Sequence, residues 1–211
     1  ITAGPTIEYI DPIRIITNQS SGKTGVLLAS ELISSGAKVT LVYGPGIEKP
    51  PKGAKIIKIS TSKEMFNVVK KEMSKEFDIV IMAAAKADYT PENISKNKIK
   101  STKNKIKISL KKTPKIIDQI KKYQKNVFLV GFKAETNLSK KELITLAKKK
   151  MIASSADMIV ANDIGSIRYR KNPESNEVLI INSHKVISSG WIKKEKIAKF
   201  IRKEIEQRLK I

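Results

Sequence analysis

The sequence predicts an α/β fold: a mostly parallel β-sheet covered by helices on both faces, with a small β-hairpin extension. Three observations predict it. Short apolar runs alternate along the chain with stretches of helical periodicity. Several of those runs are apolar on both faces, as strands buried in a parallel sheet are. The 211 residues are enough for one α/β unit, read here as a single domain spanning 1–211, but not for two well-filled domains.

The elements follow in order. Ile1-Thr2-Ala3-Gly4 reads as the end of a strand running into a turn, so the chain reads as a piece of something longer. Residues 21–35 have a helical pattern. Residues 39–43 are a strand closed by Gly44-Pro45-Gly46, and residues 56–59 are another. A helix over 62–75 carries Glu64 in its first turn, where negative charge suits the helix dipole. Residues 78–85 form the clearest doubly apolar strand, and 127–132 and 158–162 are similar. Helices over 114–123 and 139–151 separate them. Two segments break the alternation. Residues 105–110 have period two and predict a half-exposed strand, and 176–182 followed by 184–186 predict a hairpin. Residues 192–211 close the chain as an amphipathic helix, with Ile197, Phe200, Ile201, Ile205 and Leu209 on one stripe for core or dimer contact.

Composition narrows the function classes. Lysine plus arginine number 42 against 20 acids, a net charge of +22 that favours an anionic partner. The lysines are dispersed, however, and no basic tract is interleaved with aromatics, so nucleic acid is not the expected partner. The absence of cysteine excludes a disulfide framework, a thiolate metal site and a cysteine nucleophile. No apolar run approaches the roughly 20 residues of a membrane helix, and no membrane partner is expected. Ile1 has no signal-peptide character, which makes the cytoplasm the expected location.

Four segments carry the chemistry. Thr17 to Gly25 opens a helix, where backbone N–H groups suit an anion. Gly22-Lys23-Thr24 matches the end of the Walker pattern, but its first glycine falls on Thr17. Phosphate binding and simple capping by Ser21 and Gly22 both remain open. Ala84-Ala85-Lys86-Ala87-Asp88-Tyr89 ends a buried strand, where open α/β sheets bind ligands. Small residues there admit a flat ring, and Asp88 can accept from a base amino group or cap the loop. Lys96, Lys98 and Lys100 are solvated surface or reach back over the same pocket. Residues 131–137 end another strand, where Phe132 stacks on a base or packs in the core. Ala161-Asn162-Asp163 closes a further strand in the same geometry. His184, the single histidine, lies in the hairpin and reads as structural. Catalysis without His or Cys points to phosphate chemistry run by positioning and cationic stabilisation.

In order along the chain, Ile1 to Thr6, Asp11-Pro12-Ile13-Arg14, Asn18 to Lys23, the Ala-Asp-Tyr run, Lys98-Ile99-Lys100, residues 131–137 and Ala161-Asn162-Asp163 resemble the phosphopantothenate–cysteine ligase family. More narrowly, they resemble the ligase half of the bifunctional decarboxylase/synthetase of coenzyme A biosynthesis. The resemblance covers residues 1 to about 181. It implies a Rossmann-like fold, usually a homodimer, acting on 4′-phosphopantothenate and L-cysteine with CTP and Mg2+. It also implies a flavin-binding decarboxylase half N-terminal to this region on the native chain. The carboxylate would attack the α-phosphate of CTP to give an acyl-cytidylate, and cysteine would then displace CMP.

The resemblance also implies roles. Asn18 contacts the acyl intermediate and Lys98 serves activation of CTP. Asp88, Phe132 and the tip residues Ala84 and Ala85 bind the nucleotide, as does Lys150. Ser20, Ser21 and Gly22 cradle the triphosphate, and Arg14 helps hold phosphopantothenate. The metal ligands are not identified. Three departures stand out. The family's K-x-K-K motif ends in Ser101. Its N-P-D-I nucleotide loop appears as Thr113-Pro114-Lys115-Ile116, exchanging an acid for a base. The second lysine of its K-x-x-x-K pair appears as Ser154. Lys103, Lys115 or Lys148 are the candidates to compensate. Two other readings stay open on the residues alone: a nucleic-acid-binding module, and a P-loop NTPase that lacks its first glycine and a Walker B partner.

Overall fold

The computed structural model describes residues 1–102 and 104–210. The β-strands are β1 (Thr2–Ala3), β2 (Ile7–Tyr9), β3 (Ile15–Thr17), β4 (Thr40–Tyr43), β5 (Lys55–Lys58), β6 (Ile79–Met82), β7 (Tyr89–Pro91), β8 (Leu110–Lys112), β9 (Phe128–Glu135), β10 (Met158–Asp163), β11 (Ser175–Asn182) and β12 (Val186–Lys193). The helices are α1 (Lys23–Ser34), α2 (Ser62–Glu72), α3 (Ile117–Tyr123), α4 (Lys140–Ser154), α5 (Ile167–Lys171) and α6 (Lys194–Leu209).

Eight strands form one sheet in the order β12-β11-β10-β9-β6-β1-β4-β5. The six strands from β10 to β5 pair in parallel, and the hairpin β11–β12 adds two antiparallel strands at one edge. This is the doubly wound, Rossmann-like arrangement, with the expected hairpin extension. Alternation along each strand sends successive side chains to opposite faces. Met158 and Val160 pack with α1 and α6 on one face. Ile159 and Ala161 pack with α2, α3 and α4 on the other. Local chemistry sets the helix starts. Thr61 caps α2 by accepting from the Glu64 N–H, and Ser139 with Glu142 forms a full capping box on α4.

The doubly apolar runs all became sheet strands, with bounds shifted by up to three residues. The helix expected over 114–123 begins only at Ile117, because Thr113 and Pro114 continue the extended segment after β8. The strand expected over 105–110 is corrected: only Leu110 of that run pairs, within β8. Residues 105–109 have no partner strand, and Ile106 and Ile108 remain about half exposed. Period two without a neighbour to bond does not make a strand. The hairpins β2–β3 and β7–β8 and the short α5 carry no strong periodicity, and the sequence reading does not contain them. The closing helix ends at Leu209, and Ile211 lies outside the described residues.

Candidate functional site

The sheet order reverses at β1. The chain runs from β1 to β4 and β5 on one side, then through β6, β9 and β10 on the other. A crevice opens at such a point, beyond the carboxyl ends of the strands. Here it is a cleft of about 1260 Å3. Close approach of α1 to the strand tips requires glycine at 25, since a Cβ there would lie 2.4 Å from the Ala3 Cβ. Gly22, at φ 85°, is the N-cap of α1 and has no side chain of its own to cap it. Ser21 turns its hydroxyl to the Lys23 N–H at 3.2 Å, and Ser20 to the Gly22 N–H at 3.4 Å. Both serines therefore shape the turn while lining the cleft.

Asn18 spans from this turn to the tip of β6, donating its side-chain amide to the carbonyls of Ala85 at 3.1 Å and Lys86 at 3.3 Å. A buried polar knot supports the tip from below. The Thr6 hydroxyl lies 2.9 Å from the Ser62 hydroxyl and accepts from the Ala87 N–H at 2.9 Å. The buried Glu8 carboxylate accepts from the Ser62 N–H at 2.9 Å. Ala84, Ala85 and the exposed Asp88 line the cleft above this knot, with Phe132, Lys115 and Ile116.

The lining is basic. Lys86, Lys115, Lys133, Lys149 and Lys150 stand at one end, and Lys23, Arg170 and Lys194 at the other. Asp88 and Asp118 are the acidic members. Burial pushes the Lys150 ammonium below the usual lysine range, and repulsion from Lys133 and Lys115 adds to it. Lys86 is also lowered, first by burial. Lys23 behaves oppositely: its hydrogen bond to Glu174 holds it above the usual range. Glu195 stands 3.7 Å from the same ammonium. The first end keeps an excess of cationic charge even with Lys133 paired to Glu135, while Lys23 at the second is neutralised by its two acidic neighbours.

Asn18, Ser20, Ser21, Gly22, Ala84, Ala85, Asp88, Lys115, Ile116, Phe132 and Lys150 share this one cleft. Five other expected site residues stand elsewhere. Lys98 is exposed and outside the lining. Arg14 is tied to the buried Asp11 carboxylate and donates to the Ile99 carbonyl at 3.1 Å, so it fastens the lysine loop to the β2–β3 turn. Thr113 donates to the Ala87 carbonyl at 2.7 Å, behind the tip. Pro114 is exposed beside it. Ser154 is buried and donates to the Lys150 carbonyl one turn back at 2.8 Å. Of the compensating cations, Lys115 lines the cleft, Lys148 is exposed outside it, and Lys103 lies outside the described residues. Lys86, Lys133 and Lys149 gained no role from the sequence, although the first two sit in the strand-tip motifs. Tyr169 and Arg170 reach the cleft because α5 follows the carboxyl end of β10, and Lys194 because β11 and β12 return the start of α6 to it, which no local pattern announces.

Residues 1–209 match the family described as the DNA/pantothenate metabolism flavoprotein C-terminal domain. The chain belongs to that family. It is 40% identical over 210 residues to the coenzyme A biosynthesis bifunctional protein CoaBC of Thermococcus kodakarensis, covering 99% of this chain and 51% of the relative. It spans about half the length of the curated relatives it matches. Its fold superimposes on a crystal structure of the C-terminal domain of a coenzyme A biosynthesis bifunctional protein CoaBC with a TM-score of 0.81 at 32% identity, covering 99% and 93% of the two chains. The DNA/pantothenate metabolism flavoprotein of Streptococcus pneumoniae gives a TM-score of 0.86 at 28% identity, covering 98% and 97%. Among the described residues no helix is long and apolar enough to cross a membrane.

Proposed function

We propose that the chain joins 4′-phosphopantothenate to L-cysteine in coenzyme A biosynthesis, using CTP. The observation that carries this reading is the basic cleft at the reversal point of the sheet, which suits two phosphorylated ligands held together. In the first step a carboxylate oxygen of phosphopantothenate attacks the α-phosphorus. The bond to the β-phosphate oxygen breaks, and pyrophosphate leaves. The crowded negative charge is offset by Lys115, Lys133, Lys149 and Lys150. Burial first, and then repulsion from Lys133 and Lys115, lower Lys150, and an anion entering there offsets both. In the second step the cysteine amine attacks the acyl carbon, the carbon–oxygen bond to the cytidylate breaks, CMP leaves and the amine gives up a proton.

Asn18 is the proposed contact to the acyl intermediate. Its bonds to the carbonyls of residues 85 and 86 fix it against the nucleotide side of the cleft. Asp88 and Phe132 are proposed for cytidine, and Ser20, Ser21 and Gly22 for the phosphates. Lys98 stands outside the cleft of its own chain, so its proposed part in CTP activation calls for loop movement or a neighbouring subunit. Exposed Tyr9, Ile13, Ile15, Tyr89 and Leu110 on the two small hairpins support a homodimer as that neighbour. Mg2+ has no protein cage: among the described residues no three His, Cys, Asp or Glu side chains come together. We therefore assign no step to a protein-held metal; Mg2+ would arrive on the nucleotide's phosphates. For the longer relatives, the name bifunctional is compatible with the flavin-dependent decarboxylation proposed for a companion half.

The test is product analysis. With phosphopantothenate and CTP, pyrophosphate should appear before cysteine is added, and cysteine should then release CMP. AMP from ATP at equal or greater rate would overturn the choice of nucleotide. Asn18→Ala should spare pyrophosphate release and slow amide formation by about 100-fold or more. Equal loss of both steps would remove Asn18 from the second.

A further inference from the structure

Lys86 differs from the other lysines at its end of the cleft in what its ammonium touches. Its side chain is only 13% exposed. An ammonium buried to that degree is costly unless each N–H finds a partner. The Lys86 Nζ donates to the Ala87 carbonyl at 2.9 Å and to the Thr113 hydroxyl. Its third N–H is left for the Asp88 carboxylate, 3.8 Å away. Thr113 completes the link from the other side. Its hydroxyl donates to the same Ala87 carbonyl, and its N–H donates to the Asp88 carbonyl at 2.9 Å. Two of the three donors of the ammonium are thus committed to protein groups, and the third faces the Asp88 carboxylate at ion-pair distance.

The two segments joined in this way are distant in sequence and flank the β7–β8 pair, which lies outside the main sheet. Residues 84–88 follow β6, and residues 113–116 follow β8. Each delivers lining to the cleft, Asp88 from the first and Lys115 and Ile116 from the second. Apolar packing anchors the roots of both segments, since Ala87 and Ile116 are buried, but Asp88, Pro114 and Lys115 are exposed. Between those exposed residues the β7–β8 pairing, the two Thr113 bonds and a central cation bonded to both segments set the spacing.

We propose that Lys86 is a positioning residue for nucleotide recognition, clamping the 84–88 tip to the 113–116 segment so that Asp88 and Ile116 stand at a fixed spacing. The proposal rests on the nucleotide-dependent ligase reading. It assigns Lys86 no contact with the reacting atoms. Its loss should act on nucleotide affinity and on discrimination between bases, and leave the chemical step nearly intact.

A double-mutant cycle on the full chain tests it, with Lys86→Met, Thr113→Val and the pair titrated calorimetrically with CTP and with ATP. Lys86→Met should weaken CTP binding about 10-fold and narrow the CTP-over-ATP preference. The double variant should be no weaker than the weaker single variant, because both substitutions cut one clamp. In steady state the KM for CTP should rise, with kcat and the KM for phosphopantothenate within about threefold of wild type. Additive losses, unchanged CTP affinity, or a parallel fall in kcat with a lowered Tm would overturn the clamp. If Lys86→Met does not fold, the Thr113→Val variant alone decides: unchanged CTP affinity there also overturns it. Wild-type protein that binds neither nucleotide would bring down the ligase reading itself. Tight binding by wild type and variants alike removes only the role of Lys86.

Discussion

The central sheet and the two small hairpins beside it are held together by different forces. In the sheet, Leu129, Ile159 and Ile180 are fully buried, and helices cover both faces. In the hairpins each strand has three residues, and Ile13 and Ile94 are 64% and 57% exposed. What fixes that region is a few directional bonds. Four hydrogen bonds converge on the Asp11 carboxylate, from the Ile13, Arg14 and Ile99 N–H groups and the Arg14 guanidinium. Burial of apolar area is shared by many residues and unfolds cooperatively, whereas a region held by a few polar ties can open by itself. The nucleotide side of the cleft belongs to the first kind of structure. The loop bearing Lys98 belongs to the second.

The sharpest way to break that contrast is inside the sheet. Ile159 packs in β10 against the α2, α3 and α4 face, and its Cδ1, like that of Ile117, lies 2.7 Å from where a Cβ on Gly131 would be. Ile159→Ala should cost about 2–5 kcal/mol of global stability in equilibrium denaturation, because neighbours on a strand cannot close the space. A cost under about 1 kcal/mol would mean that the sheet is not the cooperative unit described here.

The seam between the two regions should respond less. Thr6 is fully buried three residues past the end of β1, and its hydroxyl serves Ser62, the Ala87 N–H and the Glu8 carboxylate together. Thr6→Val keeps the shape and leaves the Ala87 N–H without its acceptor. The expected cost is about 1–3 kcal/mol. Weakened nucleotide binding should accompany it, since the tip above the knot carries Ala84, Ala85 and Asp88. Stability loss with an unaltered cleft would show that the knot supports only the core.

The same contrast explains what the sequence disclosed. The strands at 78–85, 127–132 and 158–162 were legible because burial on both faces leaves an unbroken apolar run. The cleft was legible at its tips for the same reason, since ligand-binding segments follow strands. The hairpins were not, because a three-residue strand has no period to read. The misread run 105–110 shows the converse: alternation was present, but no neighbouring strand was. The basic side chain at the start of α6 became a site residue only through the antiparallel return of β11 and β12, and Arg170 through the short α5 that follows β10. The clamp role of Lys86 depends on Thr113, 27 residues away, and no spacing along the chain reveals that pairing.

The smallest effect should come from Asp11, and its pH dependence makes it diagnostic. Burial works against the Asp11 charge, but the backbone bonds from Arg14, Ile13 and Ile99 and the Arg14 side chain outweigh it, holding the carboxyl below the usual carboxylate range. A carboxyl depressed in the folded state stabilises above its unfolded pKa of about 3.9, and that contribution is lost as pH falls toward the folded value. Amide exchange at Ile99 should therefore be protected evenly from neutral pH down to about pH 4 and lose protection below it. Asp11→Asn still offers an oxygen to the same N–H groups but without charge. It should lower protection at Ile99 across the range and flatten its pH dependence, with Tm hardly changed. A large drop in Tm would show that the hairpin region is part of the cooperative core after all. Unaltered exchange at Ile99 would show that the lysine loop is held by something other than Asp11.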